Sequence, residues 1–300
     1  MAERSDDVSP RRLSSTSAVA LRRPSTAVQL VAVDGTAARR RPDALVTEEP
    51  MEIRLQSSSG GDPKPLVVTM RTPGNDFELA AGFCRTEGIV NRVEDVAHIA
   101  YCLGDEGEQA YNIVTVRVST PSVDAVPARS FLSNSSCGLC GKSTLDEVET
   151  HVSPVRDDTV VSQRVISSLP ERLARHQRVF SRTGGLHAAA RFSPDGTLLA
   201  VREDVGRHNA LDKLIGHAFL ERALPLEGEI VLVSGRLSFE LVQKAAVAGV
   251  PMLCAVSAPS SLAVAAAERF NQTVVGFLRD GRFNIYTHPQ RIELDGASPR

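Results

Sequence analysis

Apolar residues follow two periods along this chain, one typical of strands and one typical of helices. Alternation of apolar and polar residues predicts strands over 52–55, 66–70 and 112–118. Unbroken apolar runs over 230–233 and 252–256 predict strands that are buried on both faces. The second half of the chain is the more regular one, so we expect most of the packed core there.

Helical spacing predicts four helices between and after these strands. The first begins near Phe77, and the others span about 210–219, 237–248 and 261–270. Gly249 follows the third of them, at the position where a helix commonly ends. Helices that alternate with strands are typical of an α/β fold.

Two turn signals predict β-hairpins inside this pattern. Ser193-Pro194-Asp195-Gly196 separates strands at 188–192 and 198–201, and Asp280-Gly281 separates strands at 273–278 and 283–287. Hairpins add antiparallel neighbours to a parallel sheet. We therefore predict a layered, mixed β-sheet flanked by helices, with its regular α/β part over 180–290.

The N-terminal residues lack this regularity. Residues 1–26 are rich in Ser, Arg and Pro, and we expect a disordered basic arm there. Residues 27–44 contain a short apolar run followed by consecutive arginines, and we expect an irregular lead-in. A single domain is then predicted over 45–295.

Composition restricts the class of function. The 300-residue chain is 42% hydrophobic and 23% charged with a formal net charge of -2, which argues against binding to nucleic acid or to an anionic membrane surface. There is no tryptophan and no apolar run long enough to span a membrane. Five cysteines without a secretory signal fit a reducing cytoplasm better than a disulfide framework.

Ser136-Cys137-Gly138-Leu139-Cys140-Gly141-Lys142 concentrates the reactive chemistry of the chain. It places two thiols three residues apart in a glycine-rich loop at 133–143, before a predicted helix. A helix N-terminus and a nearby lysine lower the pKa of a thiol and favour the nucleophilic thiolate. The segment therefore predicts a reactive cysteine pair, with Cys137 and Cys140 as the catalytic candidates.

Three other readings of this segment are weaker. A structural zinc site needs four ligands, yet Cys84, Cys102 and Cys254 are isolated and no His-x-Glu accompanies the pair, as zinc deaminases require. A phosphate-binding loop would need glycine where Ser136 stands. A thioredoxin-like pair usually follows an early strand in a shorter domain. We expect no metal, and Cys254 to be an inert core thiol.

Basic residues recur at the ends of predicted strands. Arg207-His208 begins a helix, and Arg236 follows the strand over 230–233. Free N–H groups at helix starts attract anions, so these residues predict a phosphate-bearing ligand at the carboxyl ends of the strands. Arg279 and Arg282 flank the last hairpin turn and favour the same class of ligand. His187, which stands alone, is read as structural.

Six motifs in order resemble the formate dehydrogenase accessory sulfurtransferase family (FdhD). The resemblance covers about residues 45–292 and leaves the N-terminal arm outside. The motifs are Met70-Arg71-Thr72-Pro73-Gly74, Thr86-Glu87-Gly88-Ile89, Ser136-Cys137-Gly138-Leu139-Cys140-Gly141-Lys142, Thr183-Gly184-Gly185-Leu186-His187-Ala188-Ala189, Arg202-Glu203-Asp204-Val205-Gly206-Arg207-His208-Asn209-Ala210 and Tyr286-Thr287-His288-Pro289.

The resemblance implies a specific sulfurtransferase activity. Family members accept sulfane sulfur from a cysteine desulfurase as a cysteine persulfide and pass it to the molybdenum cofactor, in its bis-guanine dinucleotide form, before insertion into formate dehydrogenase. The persulfide position maps to Cys137, with Cys140 as its companion. The fold is implied to be similar to that of cytidine deaminases. The cofactor-binding segment maps to Phe277, Leu278, Arg279, Asp280, Gly281 and Arg282.

Two other functions remain open at this stage. A non-catalytic chaperone would bind and protect the molybdenum cofactor, with structural or redox-protective cysteines. A zinc-dependent, deaminase-like hydrolase is the third reading. The expected partners of the favoured function are the desulfurase, the formate dehydrogenase apoenzyme and the cofactor in the cytoplasm, with a homodimer as the default oligomer.

Overall fold

The fold is mixed α/β. The computed structural model describes residues 23–103, 109–119, 131–132 and 153–296. The helices are α1 (Asp76–Thr86), α2 (Gln163–Ala174), α3 (Phe180–Thr183), α4 (Arg207–Leu220), α5 (Phe239–Val247) and α6 (Ser261–Arg269), with 3-10 turns at Val93–Asp95 and Pro289–Arg291. The strands are β1 (Ser25–Asp34), β2 (Ala37–Val46), β3 (Glu49–Ser57), β4 (Lys64–Arg71), β5 (Val96–Leu103), β6 (Gln109–Val118), β7 (Phe131–Leu132), β8 (Val161–Ser162), β9 (His187–Phe192), β10 (Leu198–Asp204), β11 (Ile230–Val233), β12 (Met252–Ala255), β13 (Thr273–Arg279), β14 (Arg282–Ile285) and β15 (Ile292–Glu293).

A six-stranded sheet forms the second half of the described chain, in the order β10-β9-β11-β12-β13-β14. Its centre is parallel, because β12 pairs in parallel with both β11 and β13. Antiparallel pairs close both sides, β9 with β10 and β13 with β14. The two hairpins predicted from their turn residues are therefore confirmed, and so is the mixed sheet.

A five-stranded sheet forms the first half, in the order β5-β6-β3-β4-β7. Its buried face carries the alternating apolar residues of β3 and β6, which pack against α1. The short strand β7 pairs in parallel with β4, placing Phe131 opposite Val67 and Leu132 opposite Val68. Among the described residues β7 is the outermost strand on this side of the sheet, and Cys137 follows Leu132 by five residues along the chain.

Helices cover both faces of the six-stranded sheet. α4, α5 and α6 pack on one face, around Val231, Leu253 and Val274. α2 packs on the other face, with Ile166 and Leu169 among its fully buried residues. Because β11 and β12 are buried on both faces, their unbroken apolar sequences have the composition that such strands require.

Helices α1 and α4 join the two sheets by an unusually close crossing. A Cβ atom built on Gly82 would lie 1.9 Å from the carbonyl oxygen of Asp212, and one on Gly216 would lie 1.8 Å from the carbonyl oxygen of Glu78. Only glycine allows backbones to approach this closely. The crossing brings the end of β4 beside the start of α4.

The expected irregular lead-in at 27–44 is wrong, because β1 and β2 form a hairpin of ten-residue strands paired from Ser25–Val46 to Asp34–Ala37. The turn is Gly35-Thr36, with Gly35 at φ 57°, a left-handed conformation that suits the first position of a tight hairpin turn. The arginine run, read as a loop, lies in β2. Ordered structure thus begins before Leu45, while residues 1–22 of the expected disordered arm lie outside the described residues.

Candidate functional site

Three loops meet at the carboxyl ends of the parallel strands β11, β12 and β13. Leu237, after β11, pairs with Pro259, after β12, and its N–H donates to the carbonyl of Ala258 at 3.1 Å. Phe277, in β13, donates its N–H to the carbonyl of Ser257 at 3.1 Å. These bonds fix the loops side by side, so the ends of the three strands form one continuous edge, called here the carboxyl edge.

Asp204 brings the start of α4 to this edge. Its carboxylate accepts the backbone N–H of Gly206 at 2.8 Å and that of Thr72 at 3.1 Å, and pairs with Lys213 at 2.6 Å. The side chains of both Asp204 and Lys213 are fully buried. The charge pair therefore locks the turn before α4 to the turn after β4, and it sets the direction in which Arg207 and His208 leave the helix.

His187 and Arg207 meet over Gly235. A Cβ on Gly235 would lie 3.3 Å from Nδ1 of His187 and 3.7 Å from Cδ of Arg207, so both side chains lie against this glycine. His187 starts β9, which is antiparallel to β11 and therefore begins at the carboxyl edge. The Nε of Arg207 is buried without a hydrogen-bond partner among the described residues. A buried, unused donor on a cation is well placed to receive an anion.

His208 lies beside this pair and contacts the start of α5. Its Nε2 is 3.2 Å from the hydroxyl of Ser238 and 3.4 Å from a carboxylate oxygen of Glu240. Burial, and then the charges of Arg207 and Lys244, lower the pKa of His208 to about 3. Burial and Arg207 also lower the pKa of His187. Both rings are thus neutral at pH 7, and Arg207 supplies the positive charge.

The low pKa of His208 predicts a pH-dependent stability. Because the unfolded chain binds a proton on this residue near pH 6.5 and the folded protein does not, the contribution of His208 is fully present above pH 6.5. It is lost as the pH falls from there towards 3, at up to about 1.4 kcal/mol per pH unit. Urea unfolding of His208→Gln between pH 4 and 7 should show a shallower pH dependence than the unaltered protein. His176→Gln, which removes an exposed histidine elsewhere in the chain, is the matched control. A slope for His208→Gln equal to that of the unaltered protein would contradict the prediction.

The hairpin β13–β14 carries the last predicted cofactor segment. Its turn is Asp280-Gly281 with φ 52° and 71°, the pair of left-handed residues that a type I′ turn requires. Arg279 and Arg282 are directly opposed across the turn, and both are exposed. Like charges at such positions repel each other, and within the described residues neither arginine forms a salt bridge with a carboxylate. An anionic ligand would relieve this repulsion.

Phe277 and Leu278 differ in what they offer to a ligand. Phe277 has φ 54°, which is uncommon for a bulky residue, and its ring is exposed beside the carboxyl edge. Leu278 is fully buried in the core on the α2 side. The irregular register between Gly276 and Arg279 places Leu278 on the same core face as Val275, so its side chain points away from the exposed edge. The assignment of Leu278 to the cofactor-binding segment stays a prediction.

Gly276 lets an aromatic ring approach the same strand. A Cβ at this position would lie 2.9 Å from Cδ of Pro259 and 3.0 Å from Cε2 of Tyr286. The ring of Tyr286 is exposed, as is that of Phe277. The edge therefore combines exposed rings with arginines, a composition that suits a ligand with an aromatic base and phosphates.

The structure brings most of the predicted site residues to one edge. Arg207 and His208 lie together, and Arg236 is exposed in the loop that pairs with the β12 loop beside Phe277. The sequence analysis interpreted His187 as structural, and it did not identify Ser238 and Glu240. The signals for His187 were the glycine turn before it and its place in the fourth motif.

Cys137 and Cys140 lie outside the described residues. The other thiols are unpaired, and Cys84 and Cys254 are fully buried. Burial raises the pKa of Cys84 to about 12 and raises that of Cys254 as well, so both remain protonated. The prediction of an inert core thiol at Cys254 is consistent with this environment.

Two further properties concern the described part of the chain. Its helices include none of the length and apolar character needed to cross a membrane. Within the same residues, His, Cys, Asp and Glu side chains do not gather in groups of three or more that could hold a metal ion.

Comparisons with known proteins agree on one family. The sequence profile of the FdhD/NarQ family matches residues 46–293. The sulfur carrier protein FdhD of Streptomyces avermitilis is 49% identical over 277 residues, covering 90% of this chain and 96% of the relative. That of Sulfurisphaera tokodaii is 46% identical over 250 residues, covering 83% and 92%. A crystal structure of a protein assigned as a formate dehydrogenase accessory protein in Desulfotalea psychrophila matches with TM-score 0.70 and 25% identity, covering 90% of this chain and 100% of that one.

Proposed function

This chain belongs to the FdhD/NarQ family, and on that premise we propose that it is a sulfurtransferase in the maturation of formate dehydrogenase. It accepts sulfane sulfur from a cysteine desulfurase as a persulfide on Cys137. It then delivers this sulfur to the molybdenum cofactor in its bis-guanine dinucleotide form, before the cofactor enters the apoenzyme. The reaction takes place in the cytoplasm, where cysteines remain reduced.

Loading is a thiol exchange that needs no added oxidant. The thiolate of Cys137 attacks the terminal sulfur of the donor's cysteine persulfide. A new sulfur–sulfur bond forms on Cys137 while the donor's sulfur–sulfur bond breaks, and the donor cysteine leaves as a thiolate. The sulfane sulfur keeps its oxidation state, so atoms and electrons balance.

The observation that carries the proposal is the position of β7. Leu132 lies opposite Val68 of β4, and the next residue, Thr69, donates a hydrogen bond to Asn209 in the first turn of α4. Cys137 follows Leu132 by five residues, so the covalent chain holds it within about 18 Å of that point. The tether supports a persulfide that reaches the edge carrying Arg207 and His208.

Discharge of the sulfur assigns a role to Cys140. Its thiolate attacks Sγ of Cys137, a Cys137–Cys140 disulfide forms, and the terminal sulfur leaves as hydrosulfide. The two thiol groups supply the two electrons that reduce sulfane sulfur to sulfide, and a small-molecule or protein thiol then reduces the disulfide. The hydrosulfide is delivered to the metal of the cofactor, which is the substrate of this step.

The carboxyl edge supplies the groups to hold that substrate. We assign the diphosphates of the guanine dinucleotides to Arg279 and Arg282, supported by the unrelieved repulsion between these residues. The same hairpin presents the ring of Phe277 and the turn formed by Asp280 and Gly281. The buried side chain of Leu278 anchors the strand in the core. The remaining cationic residues of the edge, Arg207 and Arg236, and the neutral His208 extend the binding surface.

Intact mass spectrometry tests the proposal. After incubation with a cysteine desulfurase and cysteine, the protein should gain one sulfur atom that a thiol reductant such as dithiothreitol removes. Cys137→Ser should abolish the gain, whereas Cys102→Ser, at a half-buried cysteine remote in sequence, should retain it. A protein that gains no sulfur but binds the cofactor would be a non-catalytic chaperone. Stoichiometric zinc that is needed for activity would instead indicate a hydrolase.

A further inference from the structure

The hairpin β1–β2 has little support from the rest of the molecule. Each of its strands has one neighbour in the described part of the chain, the other strand of the pair. Isolated two-stranded hairpins are marginally stable in water. Val31 is 58% exposed, Val33 is 72% exposed and Leu45 is 50% exposed. Exposed apolar residues on a hairpin with free strand edges are typical of a surface that a partner covers.

Three consecutive arginines make both faces of this hairpin basic. Arg40 is paired with Val31, so these two residues share one face, while Arg39 and Arg41 share the other face with Ala32 and Leu30. All three arginines are exposed. Throughout the described chain none of them has an ion pair, in contrast to exposed Arg164, which pairs with Asp295. The guanidinium groups are therefore available for carboxylates.

The base of the hairpin borders the loop that leads into the candidate site. A Cβ on Gly185 would lie 3.0 Å from Cγ1 of Val46, the last residue of β2. His187 follows Gly185 by two residues. The hydroxyl groups of Thr26 and Thr47 are 2.9 Å apart and connect the base of β1 to the chain after β2. A protein bound along the hairpin would thus stand beside the carboxyl edge.

We propose that the hairpin β1–β2 is a docking arm for an acidic protein surface, that of the desulfurase which donates the sulfur. Arginines favour carboxylates with two parallel hydrogen bonds, and the free strand edges offer main-chain pairing. The matched family profile begins at residue 46, so the arm is an addition to the part that the profile describes. The net charge of -2 and the interleaved valines favour a protein over nucleic acid or an anionic membrane. This inference rests on the proposed function.

The test compares two charge-reversed variants of the full chain. R39E/R40E/R41E alters the arm, while R164E/R175E/R222E makes the same change in net charge at exposed arginines elsewhere, whose ion pairs with Asp295, Glu171 and Glu94 contribute little to stability. Sulfur loading is measured with the cysteine desulfurase and, separately, with inorganic polysulfide as the donor. The arm variant should raise the KM for this protein as acceptor by about tenfold or more, with less dependence on salt. Loading by polysulfide should be unchanged in both variants.

Other results of these measurements would overturn either the docking proposal or the sulfurtransferase function. Equal KM values for the unaltered protein and the arm variant would overturn the docking proposal while leaving the sulfurtransferase function intact. Failure of the unaltered protein to load from either donor would overturn the function itself. Binding that the arm variant loses towards single-stranded DNA or phosphatidylglycerol vesicles, but keeps towards the desulfurase, would also overturn the proposal. R39Q/R40Q/R41Q repeats the test with less change in charge if the reversed variant does not fold.

Discussion

Gly216→Ala should lower the free energy of unfolding by about 3 kcal/mol or more, as expected for severe overpacking. The added Cβ would lie 1.8 Å from the carbonyl oxygen of Glu78 and 2.7 Å from the backbone nitrogen of Gly82. Both are backbone atoms in α1, and no rotamer change can move them away. Helices α1 and α4 must therefore separate. Chemical denaturation followed by circular dichroism measures the loss.

Helix propensity alone predicts that Gly216→Ala raises the free energy of unfolding, so the sign of the measured change distinguishes the two effects. Alanine is favoured over glycine inside a helix by about 1 kcal/mol, so Gly216→Ala would stabilise an isolated helix. Gly88→Ala is the control, because Gly88 lies two residues after the end of α1, with open space around its Cβ position and φ 72°. Its loss should be only about 1–2 kcal/mol, from the left-handed backbone. A stable Gly216→Ala protein would show that the helices do not cross this closely.

The crossing matters for function because it holds the first motif, which contains Arg71, against the fifth motif, which contains Asp204. Arg71 in the first motif binds both carboxylate oxygens of Asp76 at 3.1 Å, which shapes the turn after β4. Lys213 donates to the carbonyl of Thr72 in that turn at 2.8 Å and pairs with Asp204 before α4. These buried bonds give the motif residues a structural role: they hold the β4 end, next to β7, against the start of α4.

The regular elements of the fold were predictable because local sequence and tertiary position agree. The strands β11 and β12 are buried on both faces, as the unbroken apolar runs over 230–233 and 252–256 predict. The Asp280-Gly281 turn follows from residues that tolerate positive φ. The helix α2 was not predicted, because Pro170 lies inside it and reads as a helix breaker.

The β1–β2 hairpin shows where the prediction of secondary structure from local sequence fails. A two-residue Gly35-Thr36 turn follows Asp34, yet three arginines in the second strand resemble a loop. Arginine tolerates a strand position because its aliphatic stem packs along the strand while the charge stays in water. The pairing of Arg41 with Leu30 is set by the hairpin register, which the composition of β2 alone does not encode.

The candidate site was predictable only in part, because some of its contacts depend on the tertiary fold and not on local sequence. Arg207 and His208 follow from their place at the start of a helix. His187 is 20 residues from Arg207 and 48 from Gly235, and only the sheet brings the three together. Ser238 and Glu240 approach His208 from another helix. Such contacts depend on the strand order, and spacing along the chain carries no information about them.

Lys244→Met should destabilise the protein by about 3–5 kcal/mol, because it leaves a buried carboxylate without its cation. Nζ of Lys244 lies 2.9 Å and 3.0 Å from the two carboxylate oxygens of Asp212 and 2.9 Å from the hydroxyl of Thr86. Burial alone would lower the pKa of Lys244, but the carboxylates of Asp212, Glu87 and Glu240 outweigh burial and raise it. The lysine is therefore charged at pH 7. Urea unfolding at pH 7 measures the loss.

A double variant separates the lost charge pair from lost packing. Asp212→Leu combined with Lys244→Met replaces the buried pair by apolar groups, and it should recover most of the stability lost in the single variant. In both variants the pKa of His208 should rise from its low value of about 3, because Lys244 is one of the charges that lower it. NMR titration of the His208 ring measures this change. A double variant as unstable as Lys244→Met would contradict the electrostatic account. An unchanged pKa of His208 would show that the charge of Lys244 does not influence this histidine.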